Sequence, residues 1–342
     1  MANLTRKEFI TNSLILGAGA LLLPACLPLD KPVVMTVNGP VEADRMGFTL
    51  THEHVMADFI GAAGYSKSRY DADEVFNVAL PFMKDVKAKG TDTFIDCTPA
   101  YLGRDAALLK RLSDASGLNV LTTTGHYGAV NEKFVPAHAY NESARQLADR
   151  WIKEWKDGID GTSIKPGLIK TSTDKGPLTP MQRKVIEAAG IAHLATGLTI
   201  AVHSGDGKAA AEQLEILKGV NVSPAARIWV HAQNESDGQM HIDAAKKNTW
   251  VSFDGVNPDT LQANVDFLKT MKENNLLDRV LVSQDSGWYN VGEPKGGNFK
   301  PFTCMATQFI PLLRQQGFTT AELDQIFKKN PAKAFAIQVR RF

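Results

Sequence analysis

An α/β fold, a closed parallel (β/α)8 TIM barrel with a short N-terminal β-hairpin, is what this sequence predicts, and three observations predict it. Eight short apolar runs recur along the chain. Longer amphipathic stretches separate them, the rhythm of successive βα units. Polar residues able to carry chemistry gather at the C-terminal ends of the runs, where a barrel of this kind builds its active site.

Residues 1–30 stand apart from that rhythm. "MANLTRKEFITNS" is short and basic, and "LILGAGALLLPAC" has the length of a signal h-region, too short to span a bilayer comfortably. "TRKEFI" resembles a twin-arginine export motif with Lys7 in place of the second arginine. "LPAC" resembles a lipobox, which makes Cys26 a candidate lipid anchor; the alternative is a cleaved signal with Cys26 incidental. The expected location is periplasmic or membrane-anchored.

Residues 31–342 read as one domain, because no Pro- or Gly-rich linker divides them. "VVMTVNGPVEADRMG" reads as the hairpin, with Asn38-Gly39-Pro40 as its turn. The expected barrel strands are 48–54, 93–97, 120–124, 167–171, 199–203, 227–231, 250–253 and 280–284. Between them "DEVFNVALPFMKDVKAKG", "RDAALLKRLSDASG", "TPMQRKVIEAAGIAHLATG" and "TLQANVDFLKTMKENN" have helical spacing, several with a closing glycine. "FTTAELDQIFKKNPAKAF" reads as a terminal helical hairpin.

Of 342 residues 44% are hydrophobic, enough for a large core. The net charge of +1 supplies no field to recruit nucleic acid. Three cysteines form neither a CxxC motif nor a disulfide framework; Cys97 and Cys304 are the only pair whose bridging stays open beyond Cys26.

The strand ends carry the chemistry. Strand 1, "GFTLTHEHV", ends in His52 and His54, two apart and therefore on one face. Strand 4 carries Lys170, strands 5 and 6 end in His203 and His231, and Asp285 follows strand 8. Singly, each has a plain structural explanation. A hydrogen-bonded histidine, a solvated lysine or an N-capping aspartate would serve. Together, four of the eight histidines with a lysine and an aspartate at one end of a barrel point to metal. His138, His193 and His241 read as structural or surface residues. Leu50, His52 and His54 are expected to face inward, with Glu53 outside the barrel and not catalytic. Asp254 ends strand 7 beside the site.

These segments resemble the phosphotriesterase family of the amidohydrolase superfamily. The likeness runs through "GFTLTHEHV", "GLIKTST", "VHSG", "RIWVHAQNES", "VLVSQD" and "NPAKAF". It implies two divalent ions, with zinc the default metal. His52, His54 and Asp285 would hold the buried ion, and His203 and His231 the exposed one. Lys170 would bridge both as N6-carboxylysine, because an ammonium between dications is repelled while a carbamate is an anionic bridge. Two such ions share a hydroxide, and Asp285 would accept its proton. The resemblance also implies a homodimer.

Tyr127, after strand 3, is expected to lie over the site as a catalytic residue. Family members acting on lactones tend to carry tyrosine there, and organophosphate hydrolases tryptophan. Gly255 departs from both branches, which carry arginine or histidine just after strand 7. The Gly-rich "SGWYNVGEPKGGNFKP" is expected to form a flexible lid, with Trp288 and Tyr289 supplying a pocket or simply packing the loop down. The expected activity is hydrolysis of lactones or carboxylic esters, sugar-derived given export. The alternatives are a phosphotriesterase or phosphodiesterase and a non-catalytic metal-binding surface protein.

Overall fold

A two-stranded antiparallel hairpin, β1 (Val33–Thr36) and β2 (Gly39–Glu42), opens the fold. Thr36 pairs with Gly39, so Val37 and Asn38 make the turn, and Gly39 sits at φ 108° in the second strand. That conformation suits a residue without Cβ. The computed structural model describes residues 31–342, which form one compact unit. The export signal and Cys26 lie outside the described residues. Among the described residues no helix is long and apolar enough to cross a membrane.

The barrel strands follow in sequence order: β3 (Thr49–Ala57), β4 (Thr93–Asp96), β5 (Asn119–Leu121), β6 (Thr123–Thr124), β7 (Leu168–Thr173), β8 (Ile200–Ser204), β9 (Arg227–Val230), β10 (Trp250–Phe253) and β11 (Val280–Val282). Every neighbouring pair in the ring is parallel. The run expected at 120–124 breaks at Thr122 into β5 and β6, which belong to different ladders. The ring closes through the backbone after β11. Asp285 N–H donates to His52 O, and His54 N–H to Ser286 O, each at 3.0 Å.

Ile95, Leu121, Leu168, Ala201, Ile228 and Leu281 fill the barrel, with Val34 and Met46 from the hairpin region plugging its N-terminal end. Phe94, Val120, Val251 and Phe253 pack outward against the helices. Leu50 belongs to this outer layer, contrary to the expected inward run of 50, 52 and 54. The reason is a register shift in β3: Leu50 pairs with Phe94 but Glu53 with Asp96. The extra residue between them reverses the alternation.

The helices obey their caps. Helix Pro180–Thr196 starts with a Thr179/Gln182 capping box and ends at Gly197 in the left-handed region. Helix Ala106–Ser116 ends the same way at Gly117. Residues 320–335 form one continuous helix through a π stretch at Gln325–Lys329, rather than a hairpin of their own. The π stretch leads directly into Pro331, whose missing N–H disturbs a regular helix. Cys97 and Cys304 are free thiols.

Candidate metal centre

His52 and His54 both turn into the barrel mouth and are 2% and 3% exposed. Their Nε2 atoms stand 3.2 Å apart. Asp285 Oδ1 is 3.1 Å from His54 Nε2 and 3.8 Å from His52 Nε2. Lys170 Nζ, also buried, lies 3.2 Å from His52 Nε2. The His203 and His231 rings meet edge to face at 4.5 Å, and His231 Nε2 is 4.0 Å from Asp285 Oδ2. All six residues singled out in the sequence therefore line one cavity, with Tyr127 beside them.

The outer partners decide which nitrogen faces the centre. Asp254 is fully buried and reaches His52 Nδ1 at 3.0 Å through Oδ2 and His231 Nδ1 at 2.6 Å through Oδ1. Burial opposes its ionisation, but the His231 and His52 imidazoles hold it well below the usual carboxylate range. An ionised carboxylate only accepts, so both Nδ1 atoms carry a proton, and each ring in its neutral form turns an Nε2 lone pair to the cavity. Burial lowers His231, but Asp254 and Asp285 outweigh it and raise it above its ordinary value. Thr98 does the same for His54. Its hydroxyl donates to Met56 O at 3.2 Å, so at 2.8 Å it must accept from His54 Nδ1–H. Asp254 was placed beside the site by the sequence, but its double grip on two histidines was not visible there.

Three acceptor atoms, His52 Nε2, His54 Nε2 and Asp285 Oδ1, thus converge on one point. Lone pairs facing at such distances repel unless a cation lies among them. Asp285 Oδ1 is buried without a hydrogen-bond donor, and burial is outweighed by His52, His54 and His231, which hold its carboxyl well below the usual range. Burial, reinforced by Lys170, lowers His52 to about 4. Burial, with His231 and Lys170, keeps His203 well below its ordinary value. The donor set of neutral imidazoles and carboxylate fits divalent first-row ions.

Backbone strain marks the same residues. His231 and Asp285 take φ of 60° and 53°, in the left-handed region that bulky residues avoid. Consequently β9 stops before His231 and β11 three residues before Asp285, shorter than the expected 227–231 and 280–284. Glu53 points away from the cavity, as expected. It accepts from Ser283 Oγ at 2.8 Å, Gln284 N–H at 3.1 Å and Ser286 N–H at 2.8 Å. Burial pushes its carboxyl up to about 8, against these hydrogen bonds.

The cavity above the cluster has a volume of about 200 Å³. Tyr127 places its hydroxyl 3.0 Å from His203 Nδ1, and burial holds that phenol above its ordinary pKa. Trp288 stacks on His54 at 3.9 Å and donates its indole N–H to Asp285 O at 2.9 Å. Phe59 stacks on the same indole at 5.7 Å. The loop after β11 differs from the expected lid. Gly287–Asn290 forms a further strand, β12, parallel to β3, and Tyr289 is buried with its hydroxyl donating to Glu74. Tyr289 packs the loop down while Trp288 walls the cavity. Gly255 lies against the end of the Gln233 side chain. A Cβ there would lie 2.8 Å from Gln233 Nε2, which donates to Asp254 Oδ1. Larger clefts of about 390 and 500 Å³ lie elsewhere and do not touch the converging histidines.

His193 is buried and bonds main-chain groups of Leu198 and Arg340, and His241 bonds Ala232 O. His138 pairs with Glu142.

Comparison with known proteins agrees with this geometry. The phosphotriesterase family model matches residues 32–335. The phosphotriesterase homology protein of Escherichia coli is 29% identical, over 85% of this chain and 99% of its own length. The aryldialkylphosphatase of Saccharolobus solfataricus is 28% identical, over 86% and 97%. The N-acetyltaurine hydrolase of Bos taurus is 25% identical, over 87% and 96%. A solved structure of a weak promiscuous lactonase engineered for organophosphate hydrolysis superposes with a TM-score of 0.80 at 26% identity, covering 89% of this chain and 100% of that one.

Proposed function

The chain belongs to the phosphotriesterase family of metal-dependent hydrolases acting on small molecules, and on that premise we propose that it hydrolyses small lactones or carboxylic esters at a two-metal site. The observation that carries this reading is the cavity over the histidines. At about 200 Å³ it is smaller than the roughly 300–1,000 Å³ usual for drug-sized ligands. A compact substrate suits it better than a triester with three bulky groups.

Two bound divalent ions, zinc by default, supply a nucleophilic hydroxide and an electrophile for the substrate oxygen. His52, His54 and Asp285 would hold one, and His203 and His231 the other. Lys170 would serve both once carboxylated on Nζ. It is buried, and no carboxylate lies within 4.0 Å of its Nζ among the described residues, so its ammonium is unpaired. The neutral amine would add carbon dioxide and release a proton, and the resulting carbamate anion would be attracted to the bound cations. Asp285 would accept the proton of that hydroxide on Oδ2. Tyr127 offers its hydroxyl to the substrate oxygen, and Phe59, Leu102 and Trp288 hold the apolar part of the substrate and exclude water.

The same reading includes export, lipid anchoring through Cys26 and a homodimer, supported by the signal-like residues 1–30 and by the family. The relatives' names span phosphotriesters and an N-acyl amide, so substrate choice is the open variable. Metal-replete protein should be assayed against matched panels of lactones, aryl esters, phosphotriesters and N-acyl amides. Lactones or carboxylic esters turned over at least about tenfold faster by kcat/KM support the reading. Preference for phosphotriesters or amides overturns it.

A further inference from the structure

Arg227 opens β9 on the outer side of the barrel, at the end of the strand away from His231. It is 1% exposed. One amino group donates to Gln213 Oε1 at 2.7 Å, an acceptor already engaged by Ser204 Oγ at 3.0 Å. Its Nε is buried without a partner, and among the described residues no carboxylate comes within 4.0 Å of the guanidinium. Arg104 shows the ordinary solution in the same molecule. It is 3% exposed and its Nε is likewise unpartnered, but its amino groups donate to both oxygens of Glu154 and to the carbonyl of Thr123, so the charge is paired. A buried guanidinium without a counter-charge is strongly unfavourable. No neighbouring charge offsets the burial, which lowers Arg227 to about 9.

The side chain lines a cavity of about 130 Å³ between helix Gly207–Gly219 and helix Gly238–Lys246. Trp229 lines it too, with its indole Nε1 buried and unpartnered. Lys247 and Asp243 line the exposed side, so the walls carry two cations to one carboxylate. The volume equals roughly four water molecules, taking about 30 Å³ each. That admits a compact anion.

We propose that this cavity binds a small oxyanion, a carboxylate or inorganic phosphate, with Arg227 as its buried counter-charge. The forked guanidinium suits an oxyanion because its N–H groups match paired oxygens. The bound ion would tie helix Gly207–Gly219, which follows the His203 strand, to the strand that leads to His231. The site is separate from the metal centre, and the proposal does not depend on which ester is cleaved.

The test is thermal unfolding of metal-loaded, full-length protein in sodium phosphate, sodium acetate and sodium chloride at one ionic strength. A saturable rise of several degrees with phosphate or acetate over chloride is expected, and the better of the two identifies the oxyanion. R227M should abolish the rise, while D243N should keep or enlarge it. A rise that persists unchanged in R227M belongs to an adventitious ion or to the metal centre and overturns the proposal. So does loss of the rise in D243N, which would make Asp243 the working partner of Arg227. No rise at constant ionic strength also overturns it. Should R227M not fold, wild-type crystals soaked in selenate give the independent readout. An anomalous peak within hydrogen-bond distance of Arg227 is expected, and its absence counts against the site.

Discussion

Glu53 faces away from the four histidines yet grips the turn that carries Asp285. It accepts hydrogen bonds from Ser283, Gln284 and Ser286, residues on both sides of the aspartate. Asp285 itself sits at φ 53°, a conformation that needs support from its surroundings. Glu53 is therefore a clasp for the turn that carries this candidate metal ligand, though it does not line the cavity.

Replacing Glu53 by Gln keeps the size but sets an amide N–H₂ against backbone donors. The expected loss is about 1–3 kcal/mol of stability, read by urea unfolding, together with a lowered kcat at nearly unchanged KM. A Glu53→Gln protein with wild-type stability and kcat would show that the clasp does nothing.

The same carboxyl gives a pH dependence. Its folded-state pKa, about 8, lies above the ordinary 4.5. A raised carboxyl favours the folded state below pH 4.5 and loses that contribution as pH rises through about 8. Wild-type stability should therefore fall across that window more steeply than that of Glu53→Gln, compared by denaturant midpoint at each pH. Parallel profiles would contradict it.

Asp254 serves His52 and His231 at once, whereas Thr98 serves His54 alone. Asp254→Asn should weaken metal retention at both sites, by about 10–100-fold in affinity. Thr98→Ala should weaken one site only. Stepwise chelator titration with metal analysis distinguishes them. Equal, single-site loss in both variants would remove the linking role from Asp254.

Much of this was legible in the sequence. The βα rhythm located all eight barrel strands, and strand-end polarity singled out His52, His54, Lys170, His203, His231 and Asp285, because a parallel barrel brings strand ends together whatever the loops do. What escaped was local geometry. The extra residue in β3 flips Leu50 outward, and a bulge has no compositional mark when both layers are apolar. The left-handed turn at His231 reads as an ordinary strand end, and the one at Asp285 leaves no mark in the sequence. Tyr289 and Trp288 are adjacent aromatics, and only the pairing of β12 with β3 shows that one packs and the other walls the site. The partner of Gly255, Gln233, lies 22 residues earlier and becomes its neighbour only in the folded barrel.

Tyr127 meets the cavity through one hydroxyl. Tyr127→Phe should fold normally, keep its metal and lose at least about tenfold in kcat/KM toward carbonyl esters, the loss expected for one donor to a developing oxyanion. Unchanged kcat/KM would make the tyrosine a wall residue only.

Cys26→Ala separates anchoring from export. A lipid-anchored protein should move from the membrane fraction to the soluble exported fraction, with activity intact. Unchanged partitioning would end the lipoprotein reading without touching the hydrolase.

The most direct measurement is metal content of protein purified without chelator. Wild type should hold about two divalent ions per chain, and His52→Ala and Lys170→Ala should each hold fewer. A metal-free wild-type protein that remains fully active, or a Lys170→Ala variant with undiminished metal, would contradict a two-ion centre built on these residues.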